Sequence, residues 1–221
     1  MNFTKHINFI SDFDGTITKQ DTIQTFLQHF TQDKWLNIET LWRNNKISSK
    51  ECLTKQVDLL PILTQQKIDD FLLQEIQIDK SFLSFGDFVK KNNHSLVIVS
   101  DGFDYFINKI LEQNMLSDID IYSNHIQCEN GKISINFPHY SKNCKCEMGT
   151  CKCSILKKLK EQRKDWTSVY IGDGLSDACI SHNIDVVFAK DFLYEYCKKN
   201  RQKEFCKFST FEDIINYFKK I

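Results

Sequence analysis

His6-Ile7-Asn8-Phe9-Ile10-Ser11-Asp12-Phe13-Asp14-Gly15-Thr16 decides how the rest of the chain reads. Ile7, Phe9 and Ile10 form an apolar run too short for a helix, closed by an Asp-Gly turn signal, so the stretch predicts a buried strand. Asp12 and Asp14 follow at its carboxyl end. Two residues apart in an extended chain, they point the same way and share one mouth. Like charges so placed are costly unless a cation or a proton neutralises one. Carboxylate oxygens at an open strand end suit Mg²⁺, which leaves room for water and phosphate oxygens. A lone Asp-x-Asp-Gly is as well explained by turn capping, so its meaning depends on what lies downstream.

Working outward, residues 18–77 read as near-continuous helix: Thr22 to Phe30, then a stripe of Trp35, Ile38, Leu41 and Trp42. Ser48 and Glu51 have capping-box spacing, Pro61 breaks the chain, and Thr64 caps the next helix. Leu96-Val97-Ile98-Val99 is a second buried strand ending at Ser100-Asp101-Gly102, before a helix with Phe103, Phe106, Ile107, Ile110 and Leu111 on one face. Ile119 and Ile121 fit a third strand, and Ile126 to Phe137 a hairpin around Glu129-Asn130-Gly131. Further strands are expected at Ser168–Ile171, ending in Gly172-Asp173-Gly174, and at Asp185–Ala189, with a last helix from Thr210. The alternation predicts an α/β fold: a Rossmann-like parallel sheet covered by helices, with a small helical cap inserted after strand 1. The core is expected over 1–17 and 78–221, with a hairpin and Cys-rich loop at about 122–152, and the cap over 18–77. Ligands of such sheets bind beyond the strands' carboxyl ends, where every polar group singled out here falls.

The 221 residues suffice for one full core plus an accessory module. Lys plus Arg equals Asp plus Glu at 29 each, which argues against a nonspecific nucleic-acid partner. No apolar run approaches membrane-spanning length, and Asp12 and Asp14 interrupt any signal-like segment, so a soluble cytoplasmic protein with no membrane partner is expected.

In order along the chain come Asp12-x-Asp14-Gly15-Thr16, Ser100, Lys152, and Gly172-Asp173-Gly174-Leu175-Ser176-Asp177. This ordered quartet resembles the haloacid dehalogenase superfamily of phosphohydrolases, and the resemblance covers nearly the whole chain. It implies a Mg²⁺-dependent phosphomonoesterase acting on a small-molecule phosphate ester. Asp12 would be the nucleophile that forms an aspartyl-phosphate, and Asp14 the general acid and then base. Asp12, Asp173, Asp177 and the Asp14 carbonyl would serve the metal. Ser100, with the amides of Asp101 and Gly102 at a helix start, would bind phosphate oxygens, and Lys152 would pair with Asp12 and the phosphate. Lys145, Lys157 and Lys158 compete for that last role, but Lys152-Cys153-Ser154-Ile155-Leu156 fits the family's lysine followed by an apolar pair.

The insertion resembles the cap of the phosphoserine-phosphatase-like branch. Within it, Ser100 to Ile107, Ile121-Tyr122-Ser123-Asn124-His125 and Phe137-Pro138-His139 are similar to methionine-salvage phosphatases acting on 2-hydroxy-3-keto-5-methylthiopentenyl-1-phosphate. His125 and His139 become substrate-contact candidates through that resemblance alone. The second-motif segment also resembles phosphoethanolamine/phosphocholine phosphatases. Phe188-Ala189-Lys190 and Tyr196-Cys197-Lys198-Lys199 are similar to fungal polyol phosphatases. Pyridoxal phosphate is a further alternative substrate, and a regulatory binding module of the same fold the non-enzymatic one. Nine cysteines are present, and Cys144-x-Cys146-x4-Cys151-x-Cys153 could hold a structural Zn²⁺, with Cys128 or His139 as substitute ligands. The alternative is a reduced loop packed around Lys152.

Overall fold

In the computed structural model, which describes residues 5–116, 118–144, 146–202 and 204–220, Ile7–Ser11 forms strand β1 and every one of its residues is buried. It lies at the middle of a seven-stranded sheet. Strand β2 (Ser95–Phe103) pairs with it in parallel on one side, and β5 (Thr167–Gly172) on the other. Beyond β2 come β3 (Asp120–Glu129) and β4 (Lys132–Asn136); beyond β5 come β6 (Val186–Ala189) and β7 (Phe205–Lys207), giving the order β4-β3-β2-β1-β5-β6-β7. All pairings are parallel except β3 with β4. The chain leaves β1 for β2 and later returns to β1's other flank as β5, so the direction of winding reverses there. A crevice opens at such a point, beyond the carboxyl ends of the strands.

Each sheet face meets its own helices because neighbouring strand residues point to opposite sides. Phe9, Ile98, Val169 and Phe188 face one layer, which contains α5 (Ser81–Lys91), α6 (Asp104–Gln113) and α10 (Phe211–Phe218). Ile10, Val97, Val99, Tyr170 and Val187 face the other, with α7 (Lys152–Gln162), α8 (Ala178–Ser181) and α9 (Asp191–Lys199). Phe9 is fully buried, its ring edge-on to Phe85 and Phe218 at 5.0 and 5.3 Å. Burial of one such ring stabilises by roughly 1.5–3 kcal/mol.

Between β1 and β2 lie α1 (Thr22–Thr31), α2 (Leu36–Arg43), α3 (Ser49–Val57) and α4 (Gln65–Glu75). Their starts follow local chemistry: Asp21, Ser48 and Thr64 each accept a backbone N–H of the first turn. Ser48 caps α3, but Glu51 ion-pairs with Lys55 at 2.7 Å, one turn along its own helix. The insertion leaves and re-enters the body at a narrow neck. There Thr18 bridges Ile78, and the Lys19 and Asp79 amides donate to Gln77 and Ile17 carbonyls, both at 2.8 Å. Its apolar side is continuous with the body's core: Phe26 packs on Phe106 with ring centroids 4.9 Å apart.

Two local expectations are corrected. The third strand and the hairpin are not separate. A single ten-residue strand, β3, pairs with β2 through its first half and with β4 through its second, with no glycine or proline between Tyr122 and His125 to break it. And β2 runs through Ser100, Asp101 and Gly102 to Phe103, which pairs with Asn124 past a register shift, so α6 begins only at Asp104.

Candidate active site

At the carboxyl end of β1 the Asp12 amide donates to the Ile171 carbonyl at 2.8 Å, which sets the first carboxylate beside β5. Asp12 is 5% exposed. Its Oδ1 accepts the Phe13 amide and its Oδ2 lies 2.8 Å from Lys152 Nζ. Lys152, in the first turn of α7, is 2% exposed, so its ammonium has been drawn out of water and is held by what surrounds it. Those partners are Asp12, Asp177 Oδ1 at 2.5 Å, Tyr170 Oη at 3.1 Å and Ser176 Oγ at 3.2 Å. Burial alone would lower the lysine's pKa, but the two carboxylates outweigh it and raise it.

Asp14 is held differently. Its Oδ1 accepts both the amide (2.9 Å) and the hydroxyl of Thr22 at the start of α1, and its Oδ2 accepts the Ser100 hydroxyl at 3.3 Å. Burial raises its pKa despite these bonds. Gly102 leaves room for it, since a Cβ there would stand 2.3 Å from Asp14 Oδ2 and force the carboxylate to shift. The Gly102 amide donates to Ser100 Oγ at 2.9 Å. The backbone at 100–102 belongs to the end of β2, not to a helix start: the strand passes through it, across a register shift, to Phe103, which pairs with Asn124. The Asp101 side chain accepts from the Thr150 amide (2.7 Å), the Asn124 amide group (3.1 Å) and the Ser49 hydroxyl.

Asp173 follows β5, and its Oδ1 accepts the Thr16 hydroxyl. Gly15, at φ +70°, passes so close that a Cβ would meet Asp173 Oδ2 at 2.6 Å. Burial, with Asp177 nearby, pushes the Asp173 pKa up to about 7. Burial and then the Asp177 charge likewise raise Asp12, well above the usual carboxylate range. Asp177 is fully buried too, yet Lys152 beside it and hydrogen bonds hold it below that range. Its Oδ1 is taken by Lys152 and Tyr170, and its Oδ2 by the Asp173 and Gly174 amides, both at 2.9 Å.

Asp12, Asp173 and Asp177 each offer an oxygen within 4.8 Å of the others. Two buried carboxylates and the partly buried Asp173 against one ammonium leave an excess of negative charge, and the donor set is oxygen only, which fits a hard divalent cation. Asp12 and Asp173 are the members with valences to spare. Asp12, Asp14, Ser100, Asp101, Gly102 and Asp173 line a cavity of about 500 Å³. The helical insertion closes its other side with Asp21, Glu39, Trp42, Arg43, Ser49 and Gln56.

Several residues here were not singled out from the sequence. Thr22 orients Asp14 as Thr16 of the first motif orients Asp173, and Tyr170 joins Lys152 to Asp177. Asp21 lines the cavity and is pushed up to about 8 by burial and by the charge of Asp14. Only Thr22 and Asp21 carried a signal, as polar residues opening a helix that follows Asp14. His125 and His139 do not line this cavity; they lie along a separate surface groove, His125 bound to Asp104 at 2.6 Å. Lys145 lies outside the described residues. Of the four loop cysteines, Cys144 and Cys146 gather with Cys179, which lies outside the loop, and Cys153 also reaches Cys179. Cys128 instead donates to the Leu63 carbonyl, and His139 packs against Tyr122.

The sequence pattern of the putative phosphatase family matches residues 7–207. The chain belongs to that family. The chain is 33% identical over 191 residues to the 2-hydroxy-3-keto-5-methylthiopentenyl-1-phosphate phosphatase of Bacillus velezensis, covering 86% of this chain and 80% of the relative. It is 31% identical to the enzyme of the same name from Bacillus cereus, over 97% of both chains. Among solved structures, a substrate-bound phosphoserine phosphatase superposes with a TM-score of 0.74 at 21% identity, covering 97% of this chain and 99% of that one. A haloacid-dehalogenase-family hydrolase from Salmonella enterica does so with a TM-score of 0.76 at 14% identity, covering 96% and 70%. The fold is thus the haloacid-dehalogenase-like α/β fold expected, and the protein is a phosphomonoester hydrolase. No helix among the described residues is long and apolar enough to cross a membrane.

Proposed function

We propose that this phosphatase cleaves a small phosphomonoester in two displacements at Asp12, with the helical insertion over 18–77 acting as the cap that reads the leaving group. The single observation that carries this reading is the meeting of Asp12, Asp14, Ser100 and Asp173 around one cavity, with Lys152 bound to Asp12 behind it. In the first displacement an Asp12 carboxylate oxygen attacks phosphorus and the bond to the leaving alcohol breaks. Asp14, which burial favours in its protonated form, gives that alcohol its proton. In the second, Asp14 takes a proton from water, the water oxygen attacks phosphorus, and the Asp12–phosphorus bond breaks to release phosphate. Lys152 and the Ser100 hydroxyl hold phosphate oxygens, and Asp177 with Tyr170 keeps the lysine in place.

Asp12 and Asp173, with the Asp14 carbonyl, would hold Mg²⁺. The ion supplies charge neutralisation that lets an anionic nucleophile approach an anionic ester. Asp177 is here a supporting group, since both its oxygens are already bound.

For substrate, the relatives' names favour an acyclic keto-phosphate of the methionine-salvage type. One observation favours a second reading, an amino-alcohol phosphate such as phosphocholine or phosphoethanolamine. Asp21 lines the cavity as a partly buried carboxylate to which no cation among the described residues is bound, and a cationic leaving group would supply one. Turnover of a phosphomonoester panel with Mg²⁺ tests both. The first reading expects the keto-phosphate to have the highest kcat/KM. Faster turnover of phosphocholine, pyridoxal phosphate or a polyol phosphate would overturn it, and absence of hydrolysis of any ester would overturn the mechanism.

A further inference from the structure

Away from the catalytic cavity, behind the start of α7, four cysteine sulfurs are gathered from two parts of the chain. Cys144 Sγ lies 3.0 Å from Cys146 Sγ and 3.8 Å from Cys179 Sγ, and Cys153 Sγ lies 3.2 Å from Cys179 Sγ. The first three sulfurs all fall within 4.8 Å of one another. None of these pairs is bonded: all nine cysteines are free, and a disulfide would need about 2.05 Å. All four are partly exposed, so the group is neither an apolar core contact nor sealed from solvent. Thiolates held at about 2.3 Å around a tetrahedral centre stand roughly 3.8 Å apart. Cys144 and Cys179 already stand at that separation, the Cys144–Cys146 and Cys153–Cys179 contacts are shorter, and Cys153, outside the group of three, would have to turn inward to close the tetrahedron.

We propose that Cys144, Cys146, Cys153 and Cys179 form a structural tetrathiolate site for a soft divalent cation of the zinc class. Thiolate sulfur selects such ions over Mg²⁺, and four protein ligands leave no open position for substrate. Binding releases the thiol protons to solvent and needs no redox partner. The set differs from a loop-only site by recruiting Cys179, and that choice gives the site its purpose. Cys153 is the residue after Lys152, and Cys179 comes two after Asp177. A shared ion therefore fastens the loop that delivers the lysine to the short helix α8 that follows its carboxylate partner. The ion positions Lys152 without touching the ester.

The test is metal analysis of the full chain, purified under reducing conditions without chelator and then offered Zn²⁺ before desalting. About one equivalent of tightly held zinc is expected, with four thiols protected from a thiol reagent until a strong chelator is added. Cys179→Ser should lose most of the zinc and melt several degrees lower, whereas Cys206→Ser, outside the cluster, should keep it. Because Cys179→Ser could disturb packing alone, the wild-type protein is also melted with and without chelator, and a metal site requires a lower melting temperature once stripped. Zinc below about 0.1 equivalent after reconstitution overturns the proposal. So does a mass 2 Da lower per pair that marks disulfides in the reduced-purified protein, or full zinc retention by Cys179→Ser.

Discussion

Ser49, in the first turn of α3, donates its hydroxyl to the carboxylate of Asp101 in β2, across 52 residues of sequence. The same carboxylate accepts from Asn124 in β3 and from the Thr150 amide two residues before Lys152. One partly buried carboxylate thus ties the insertion, the sheet and the lysine loop together at the rim of the cavity. Ser49→Ala removes only the tie to the insertion. A hydrogen bond to a charged group contributes about 1.5–3 kcal/mol. The expected result is a stability loss near the lower end of that range in denaturant unfolding. KM should rise several-fold with a smaller change in kcat, because the insertion would close less firmly over the leaving group.

Asp12→Asn separates chemistry from folding. The amide is a poor nucleophile, so kcat should fall by at least about 10³-fold. Stability should not fall with it. Burial and the neighbouring Asp177 charge already oppose ionisation of Asp12, and Lys152 keeps Asp177 as partner. Thermal unfolding of the variant should match or exceed that of the wild type, and retained turnover would remove Asp12 from the nucleophile's role.

Chelation probes the cation reading directly. Treatment with EDTA should bring hydrolysis of the best ester to background, and added Mg²⁺ should restore it. Ca²⁺ should restore it poorly, because its larger, looser coordination suits the compact site less well. Activity that persists after exhaustive dialysis against chelator would exclude a role for Asp12 and Asp173 as its ligands.

Much of the fold, and the strand-end residues Asp12, Asp14, Ser100 and Asp173 that line the cavity, could be read from the chain because those signals are local. Ile7 to Ile10 and Leu96 to Val99 announce buried strands by their own composition, and Gly15 and Gly102 stand where a carboxylate leaves no room for a Cβ. What could not be read depends on contacts across the fold. Tyr170 sits inside an apolar strand and reads as core, yet its hydroxyl binds Asp177 and Lys152. Thr22 reads as a helix start and proves to hold Asp14. Cys179, remote from the Cys-rich loop in sequence, joins it only after α7 and β5 bring α8 alongside. The long β3 escaped because its two halves pair with different strands in opposite senses.

Asp21 supplies a pH prediction. Its carboxyl, ordinarily at 3.8, is pushed up to about 8 by burial and by Asp14, so the folded state binds this proton more tightly than the unfolded chain. Its contribution is therefore full below about pH 4 and is lost as the pH rises through 8. Asp21→Asn keeps the oxygen that caps α1 through the Gln24 amide and removes the titration. The variant should melt higher than the wild type at pH 8, by roughly 3–6 °C, and differ little at pH 5. If the substrate's leaving group is cationic, the same variant should also raise its KM; for a neutral keto-phosphate it should not.

Lys152→Met tests the buried charge arrangement as a unit. The ammonium stands between Asp12 and Asp177 at 2.8 and 2.5 Å, with almost no access to water. Removing it leaves Asp177, fully buried, without a counter-charge, and breaking such a pair typically costs 3–5 kcal/mol, about the loss expected here. Adding Asp177→Asn should recover part of that loss, since the second carboxylate then has no charge to stabilise. Unfolding free energies of the two single variants and the double variant close the cycle. Additive losses would mean that Lys152 and Asp177 are not coupled. Activity must stay near background in Lys152→Met whatever stability returns, because the phosphate would still lack its fixed cation.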